Sequence, residues 1–222
     1  MEIAVEGAQL DGMICLSSCD KTPPAHLMAA GRFNIPTILV LCGYQPSGEY
    51  QGKHVDIEDV FVGAAQAAFG KLSKDTLRGM CDNAIRGPGV CSGMGTANSM
   101  HIVCEALGMS LPGSAPVLAN GERMFDLARR SARRIVDMVW EDLLPRQVMT
   151  PGAFRNAAAA VLAVSGSINC IKHLQATSVE AGAGVDVFRL FGDLAAGIPV
   201  LSAVAPNGPD SIEAFEAAGG AR

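Results

Sequence analysis

Aromatic residues make up only 5% of the 222 positions, with a single Trp. A core must therefore be built from aliphatic side chains, Met and Ala, and the 49% hydrophobic content supplies them. Positive charge is not in excess. Seventeen Lys and Arg against 22 Asp and Glu leave a net charge of −5, which argues against a general nucleic-acid binder, because such proteins present a basic face. No apolar run reaches membrane-spanning length. Met1–Gly7 has neither the basic start nor the apolar centre of a secretory signal. There is no CxxC pair, no HxxxH spacing, no internal repeat and no low-complexity segment. Seven Cys without a secretory signal predict a reducing, cytoplasmic setting, where thiols are free, catalytic or metal-bound rather than paired.

What is present alternates as βαβ units do. Met13–Leu16 reads as a buried strand near the start of the chain. It runs into Ser18-Cys19-Asp20-Lys21 and then a helix with Pro23 and Pro24 in its first turn. Thr37–Leu41 reads as a second buried strand, and Gly43–Gly52 as a polar loop. Asp56 and Ser73 cap two helices, Ile57 to about Leu72 and onward to about Ile85. Further helices are expected over Thr96–Leu107, Asn120 to about Leu143, Thr150 to about Val164, and from the Ser165-Gly166-Ser167 turn to Ala181. Val200–Val204 reads as a short strand, and Asp210 as the cap of a last helix, Ser211–Ala218. The expected class is α/β, helix-rich, with a mostly parallel sheet. The abrupt ends suggest a piece of a larger protein.

A strand end feeding a helix N-terminus is where open α/β sheets hold ligands. Cys19, Asp20 and Lys21 occupy one such junction, and Cys91 lies in the Gly87–Gly95 loop before another helix. The helix start is expected to favour anions and to lower a thiol's pKa. Soft thiolates in such turns suit zinc or iron–sulfur ligation, although on spacing alone a free buried Cys is the commoner case. Asp56, Glu58 and Asp59 are explained as helix-start charges rather than as a metal cluster. His26, His54, His101 and His173 share no ligand spacing. Cys15, Cys42 and Cys104 read as core thiols. Arg129, Arg130, Arg133 and Arg134 read as a solvated helix face.

The two cysteine segments carry a resemblance. Asp11–Ile14 leading into Cys19-Asp20-Lys21-Thr22-Pro23-Pro24-Ala25, and Gly87–Met100 with Cys91, resemble two motifs of the dihydroxy-acid and sugar-acid dehydratase family. Glu105–Ser114, Ala153–Ala157, Ser165–Asn169 and His173-Leu174 continue the match in the family's order. Ile168 and Gly95 depart from the common pattern, where Thr and Tyr are usual.

The resemblance implies loss of water from a 2,3-dihydroxy carboxylate to give an enol and then a 2-keto acid. It implies that Cys19 and Cys91 ligate an iron–sulfur cluster, with 2Fe–2S favoured over 4Fe–4S, and that one iron keeps an open position for the departing hydroxyl. It implies that Asp20 and a carbamylated Lys21 bind Mg2+. Lys21 thereby also counts as catalytic. A third cluster Cys, further Mg2+ ligands and the base fall outside residues 1–222, which correspond to an incomplete N-terminal domain without its C-terminal partner. The chain alone is expected to be inactive, and the full-length form to be a homodimer acting on a small polyhydroxy acid, with no nucleic acid or membrane partner. Thr22–Ala25 and Gly87–Val90 point to a sugar acid (an aldonate). The alternatives are the branched-chain dihydroxy acid, an inactive truncated subunit or remnant, and a zinc protein using Cys19, Cys91 and one His.

Overall fold

A computed structural model describes all 222 residues. Eleven helices and four short strands follow one another as α1 (Glu2–Ala8), β1 (Met13–Ser17), α2 (Thr22–Phe33), β2 (Thr37–Leu41), β3 (Gly48–Tyr50), β4 (Lys53–Val55), α3 (Ile57–Ala68), α4 (Lys74–Ala84), α5 (Thr96–Ala106), α6 (Glu122–Trp140), α7 (Pro145–Val148), α8 (Pro151–Ala163), α9 (Asn169–Ala181), α10 (Val187–Ala195) and α11 (Ile212–Ala217). No helix is long and apolar enough to cross a membrane.

The expected α/β class holds, with a very small sheet. β1 and β2 pair in parallel, Met13 opposite Thr37 through Ser17 opposite Leu41. α2 is the crossover between them, as parallel pairing requires. Met13, Cys15 and Ser17 point into the main core. The other face of β1 is less covered than a buried strand would be. α6 packs chiefly over β2, where Ile38 meets Ile135 and Met138, and Leu16 stays 72% exposed.

Three segments differ from the sequence reading. Gly43–Gly52 is not all loop, because β3 and β4 form an antiparallel hairpin there. Gln51 and Gly52 take φ of 53° and 74° at its tip, the left-handed pair that a tight hairpin turn demands. Val200–Val204 forms no strand and contributes only a single bridge, Val204 with Asp210. The last helix is capped by Ser211, whose Oγ accepts from Ala214 N at 3.1 Å. Asp210 instead accepts from Ser202 Oγ and Ala203 N. Three helices, α1, α7 and α10, lie where the sequence reading has none. The caps at Asp56, Ser73 and Thr150 are as expected.

α5 is the centre of the fold. Ala97 through Cys104 are buried without interruption, and α2, α8 and α9 pack around it. A helix buried on all sides is normally apolar all round, yet α5 carries Asn98, Ser99 and His101, each at most 1% exposed. α2 and α9 approach closely at Gly31, where an added Cβ would stand 2.9 Å from the Ala181 backbone. Gly31→Ala is therefore expected to push the two helices apart and to cost about 1–3 kcal/mol, seen as a lower urea midpoint with an unchanged slope. An unchanged midpoint would contradict the close packing.

Candidate functional site

β1 ends at Ser17, and the chain turns through Ser18–Lys21 before α2 begins at Thr22. Asp20 takes φ 33° to make that turn, a left-handed backbone that Asp tolerates better than most residues. Lys21 Nζ donates to both Asp20 oxygens, at 3.1 and 3.0 Å. Both side chains are exposed, so the pair adds little to stability. It does put a carboxylate and an amine in contact at the open end of the parallel strands. His173 on α9 faces the same pair, and burial and the Lys21 charge lower its pKa.

The start of α2 is poorer in free donors than a helix N-terminus usually is. Thr22 N is spent on Cys19 O at 2.9 Å, and Pro23 and Pro24 have no N–H. Anion binding there through backbone amides, as expected from sequence, is thus largely withdrawn. What remains exposed is side-chain chemistry: the Cys19 thiol, the Asp20 carboxylate and the Lys21 amine.

Cys91 sits on a loop that three backbone devices hold. Val90 bridges Tyr44, with Val90 N donating to Gly43 O at 2.9 Å and Gln45 N to Val90 O at 2.8 Å. Gly89 has φ 130°, and any Cβ there would collide with Gln45 N. Met94 N donates to Ala205 O at 2.7 Å. The Cys91 thiol is raised to about 11 by burial first, then by Glu58 and by Cys19. The expected lowering by the following helix is not found, because Cys91 lies four residues before the Gly95 cap and beside carboxylates. Free in this environment it is a poor nucleophile, and a bound metal is what would deprotonate it.

Cys19 and Cys91 lie on separate loops within electrostatic reach of each other. A thiolate at Cys19 raises the pKa of both Cys91 and Cys42. Cys19 and Cys42 line one cavity of about 610 Å³, walled by Leu16, Val90, Met124 and Phe125. Cys15, Cys104 and Cys170 are core thiols, all with raised pKa values from burial. Cys42, read as core, is only half-buried and opens onto the cavity. No three donors that include Cys19 and Cys91 converge within 4.8 Å, so the zinc arrangement of Cys19, Cys91 and a His is not assembled.

The polar residues of α5 tie these loops together. Asn98 Nδ2 donates to the carbonyls of Cys91 and Gly93, both at 2.8 Å. His101 Nε2 donates to Ser18 O at 2.8 Å. Ser99 Oγ accepts from Ser167 N at 2.8 Å, and Thr96 Oγ1 meets Ser167 Oγ and Asn169 Nδ2 at 2.9 and 3.0 Å. Ile168 is 76% exposed and outside this network. The sequence marked Asn98 only as part of a motif and read His101 as an ordinary histidine. The contact from His101 spans 83 positions in the chain, and no local signal reports it.

Burial lowers the His101 pKa to about 4. The unfolded side chain takes up its proton near 6.5, so between those values protons favour the unfolded state. Stability is expected to fall as pH drops from about 6.5 toward 4, with a shallower slope in His101→Gln, which keeps a donor but does not titrate. Equal slopes in chemical unfolding of the two proteins would contradict a buried neutral His101.

Comparison with known proteins adds an independent line. The family profile described as "Dihydroxy-acid/6-phosphogluconate dehydratase N-terminal" matches residues 1–222. The chain is 40% identical over 220 residues to a protein named dihydroxy-acid dehydratase from Methanospirillum hungatei JF-1, covering 99% of this chain and 40% of that protein. The same figures hold for the dihydroxy-acid dehydratase of Methanococcoides burtonii. Identity to the one from Halothermothrix orenii is 37%, over 99% of this chain and 40% of that protein. The chain thus spans about two fifths of the length of the curated relatives it matches. By the match along its whole length, the chain belongs to the dihydroxy-acid/6-phosphogluconate dehydratase N-terminal family.

Proposed function

We propose that residues 1–222 are the N-terminal, cluster-binding part of a dehydratase that removes water from a 2,3-dihydroxy carboxylate to give a 2-keto acid. The observation that carries this reading is the placing of Cys19 and an Asp20–Lys21 pair at the C-terminal end of a parallel strand, within electrostatic reach of Cys91 on a separate loop. The relatives' name, dihydroxy-acid dehydratase, favours the branched-chain dihydroxy acid. It displaces the aldonate suggested by Thr22–Ala25 and Gly87–Val90.

The donors fit the groups this chemistry needs. Cys19 and Cys91 are soft ligands, one exposed and one partly buried, and suit an iron–sulfur cluster. Asp20 and Lys21 suit a hard cation once Lys21 is carbamylated, because the amine then becomes an oxygen donor. Two anions in contact would also demand a cation between them. When bound, the cluster and Mg2+ supply Lewis acidity, for the departing hydroxide and for the negative charge that develops on the substrate carboxylate and 2-oxygen.

The remaining work belongs to the chain. Asp20 and Lys21 follow directly on Cys19, which lines the cavity, and would hold the hard cation next to it. Leu16, Val90, Met124 and Phe125 give that cavity apolar walls, which strengthen every charge interaction made inside it. Asn98 and His101 fix the carbonyls of Cys91 and Ser18, so the two thiols keep one spacing. Preorganisation of this kind is where most electrostatic catalysis arises.

The test is anaerobic turnover by the full-length polypeptide that contains these residues. Dehydration of a branched 2,3-dihydroxy acid is expected to exceed that of an aldonate, and Asp20→Asn is expected to lower kcat by a factor of 100 or more. Preference for the aldonate would overturn the substrate assignment. Full activity in Asp20→Asn would overturn the role given to the Asp20–Lys21 pair.

A further inference from the structure

A second cluster of donors lies on the other side of the Cys91 loop, where the β3–β4 hairpin runs into α3. At the end of β4, Val55 is buried and His54 is exposed. Asp56 then leaves the strand and caps α3. Its Oδ1 accepts from Glu58 N at 2.9 Å and Asp59 N at 3.1 Å, while Asp59 Oδ2 accepts from Asp56 N at 3.0 Å. The capping box uses one oxygen of each carboxylate. Asp56 Oδ2, Asp59 Oδ1 and the His54 ring have no partner in the chain. One ligand atom from each of His54, Asp56 and Asp59 lies within 4.8 Å of the others. Modest side-chain rotation closes such a trio onto one ion with bonds of about 2.1 Å.

Capping alone accounts for the two carboxylates and leaves two observations over. None of the chain's ion pairs reaches Asp56, Glu58 or Asp59, so three neighbouring carboxylates stand without a cation. The same residues line a cavity of about 650 Å³ that also takes in Ser92. Ser92 is 2% exposed, and its hydroxyl has no hydrogen-bond partner. A buried hydroxyl left unpaired beside a polar cavity calls for a ligand or an ordered water.

We propose that His54, Asp56 and Asp59 bind a first-row divalent cation of the Mn2+ class, with Ser92 Oγ bonding a water of its shell. One imidazole and two carboxylates match such an ion better than they match Ca2+, which takes oxygen ligands only. The site uses no residue of the Cys19–Asp20–Lys21 turn and stands whether or not the dehydratase reading does. In position it lies against the Cys91 loop, since Ser92 lines its cavity and the Glu58 side chain covers Gly93.

Mn2+ titration of the chain, followed by the EPR signal of the free ion, tests this. His54→Ala removes an exposed ligand, and Asp59→Asn keeps an oxygen to accept from Asp56 N, so both variants should fold. Asp20→Asn serves as the comparison at the other hard-ion candidate. Tight stoichiometric binding is expected in the parent and in Asp20→Asn, with affinity at least tenfold weaker in His54→Ala and Asp59→Asn. A Mn2+-dependent rise in Tm should follow the same pattern. Absence of bound Mn2+ in the parent, or binding lost in Asp20→Asn and kept in the other two, overturns the proposal.

Discussion

The hydrogen bonds made by three polar side chains of α5 are the constraint on which the site depends. A helix buried on every side leaves its polar groups no water. Asn98, Ser99 and His101 must therefore find partners in the protein, or each costs a desolvation penalty of about 1–3 kcal/mol. The partners they find are the backbones of three loops: Cys91 and Gly93, Ser167, and Ser18. One helix thereby fixes segments far apart in the chain through Asn98 Nδ2, Ser99 Oγ and His101 Nε2, while Asn98 Oδ1 and His101 Nδ1 stay buried without a partner in the chain.

That arrangement explains why the site sits on so small a sheet. Two parallel strands cannot alone hold a strand-end turn rigid, and Leu16 and Ile14 on β1 remain partly uncovered. Rigidity comes instead from α5 and from the Tyr44–Val90 bridge, which ties the Cys91 loop to the segment after β2. The pKa of Cys91 follows from the same packing. Burial and the carboxylates of α3 hold it as a neutral thiol. It is suited to a metal that displaces the proton and unsuited to nucleophilic catalysis.

Local features were legible in the sequence, and long-range ones were not. The caps at Asp56, Ser73 and Thr150, the Pro23-Pro24 helix start and the strand at Thr37–Leu41 are written in neighbouring residues, and the structure has them all. The hairpin at Gly48–Val55 was hidden because its turn, Gln51-Gly52, lies in a run rich in Gly, Pro and Ser that reads equally well as loop. Val200–Val204 has strand-like composition but no neighbour to pair with. Among candidate site residues, Cys19 and Cys91 stood out by their turns, but their approach to each other depends on His101 and Asn98. His54 has no partner at HxxxH spacing in the sequence. Its approach to Asp56 and Asp59 comes from a strand running into a helix, a geometry with no fixed spacing rule.

The central claim is that Cys19 and Cys91 hold one iron–sulfur cluster between them. The most direct measurement is the visible absorption and reduced-state EPR of the full-length polypeptide after anaerobic reconstitution, comparing Cys19→Ser, Cys91→Ser and the exposed Cys81→Ser. The account predicts a brown protein whose cluster signal collapses in the first two variants and is unchanged in Cys81→Ser. An intact signal in either Cys19→Ser or Cys91→Ser would contradict it.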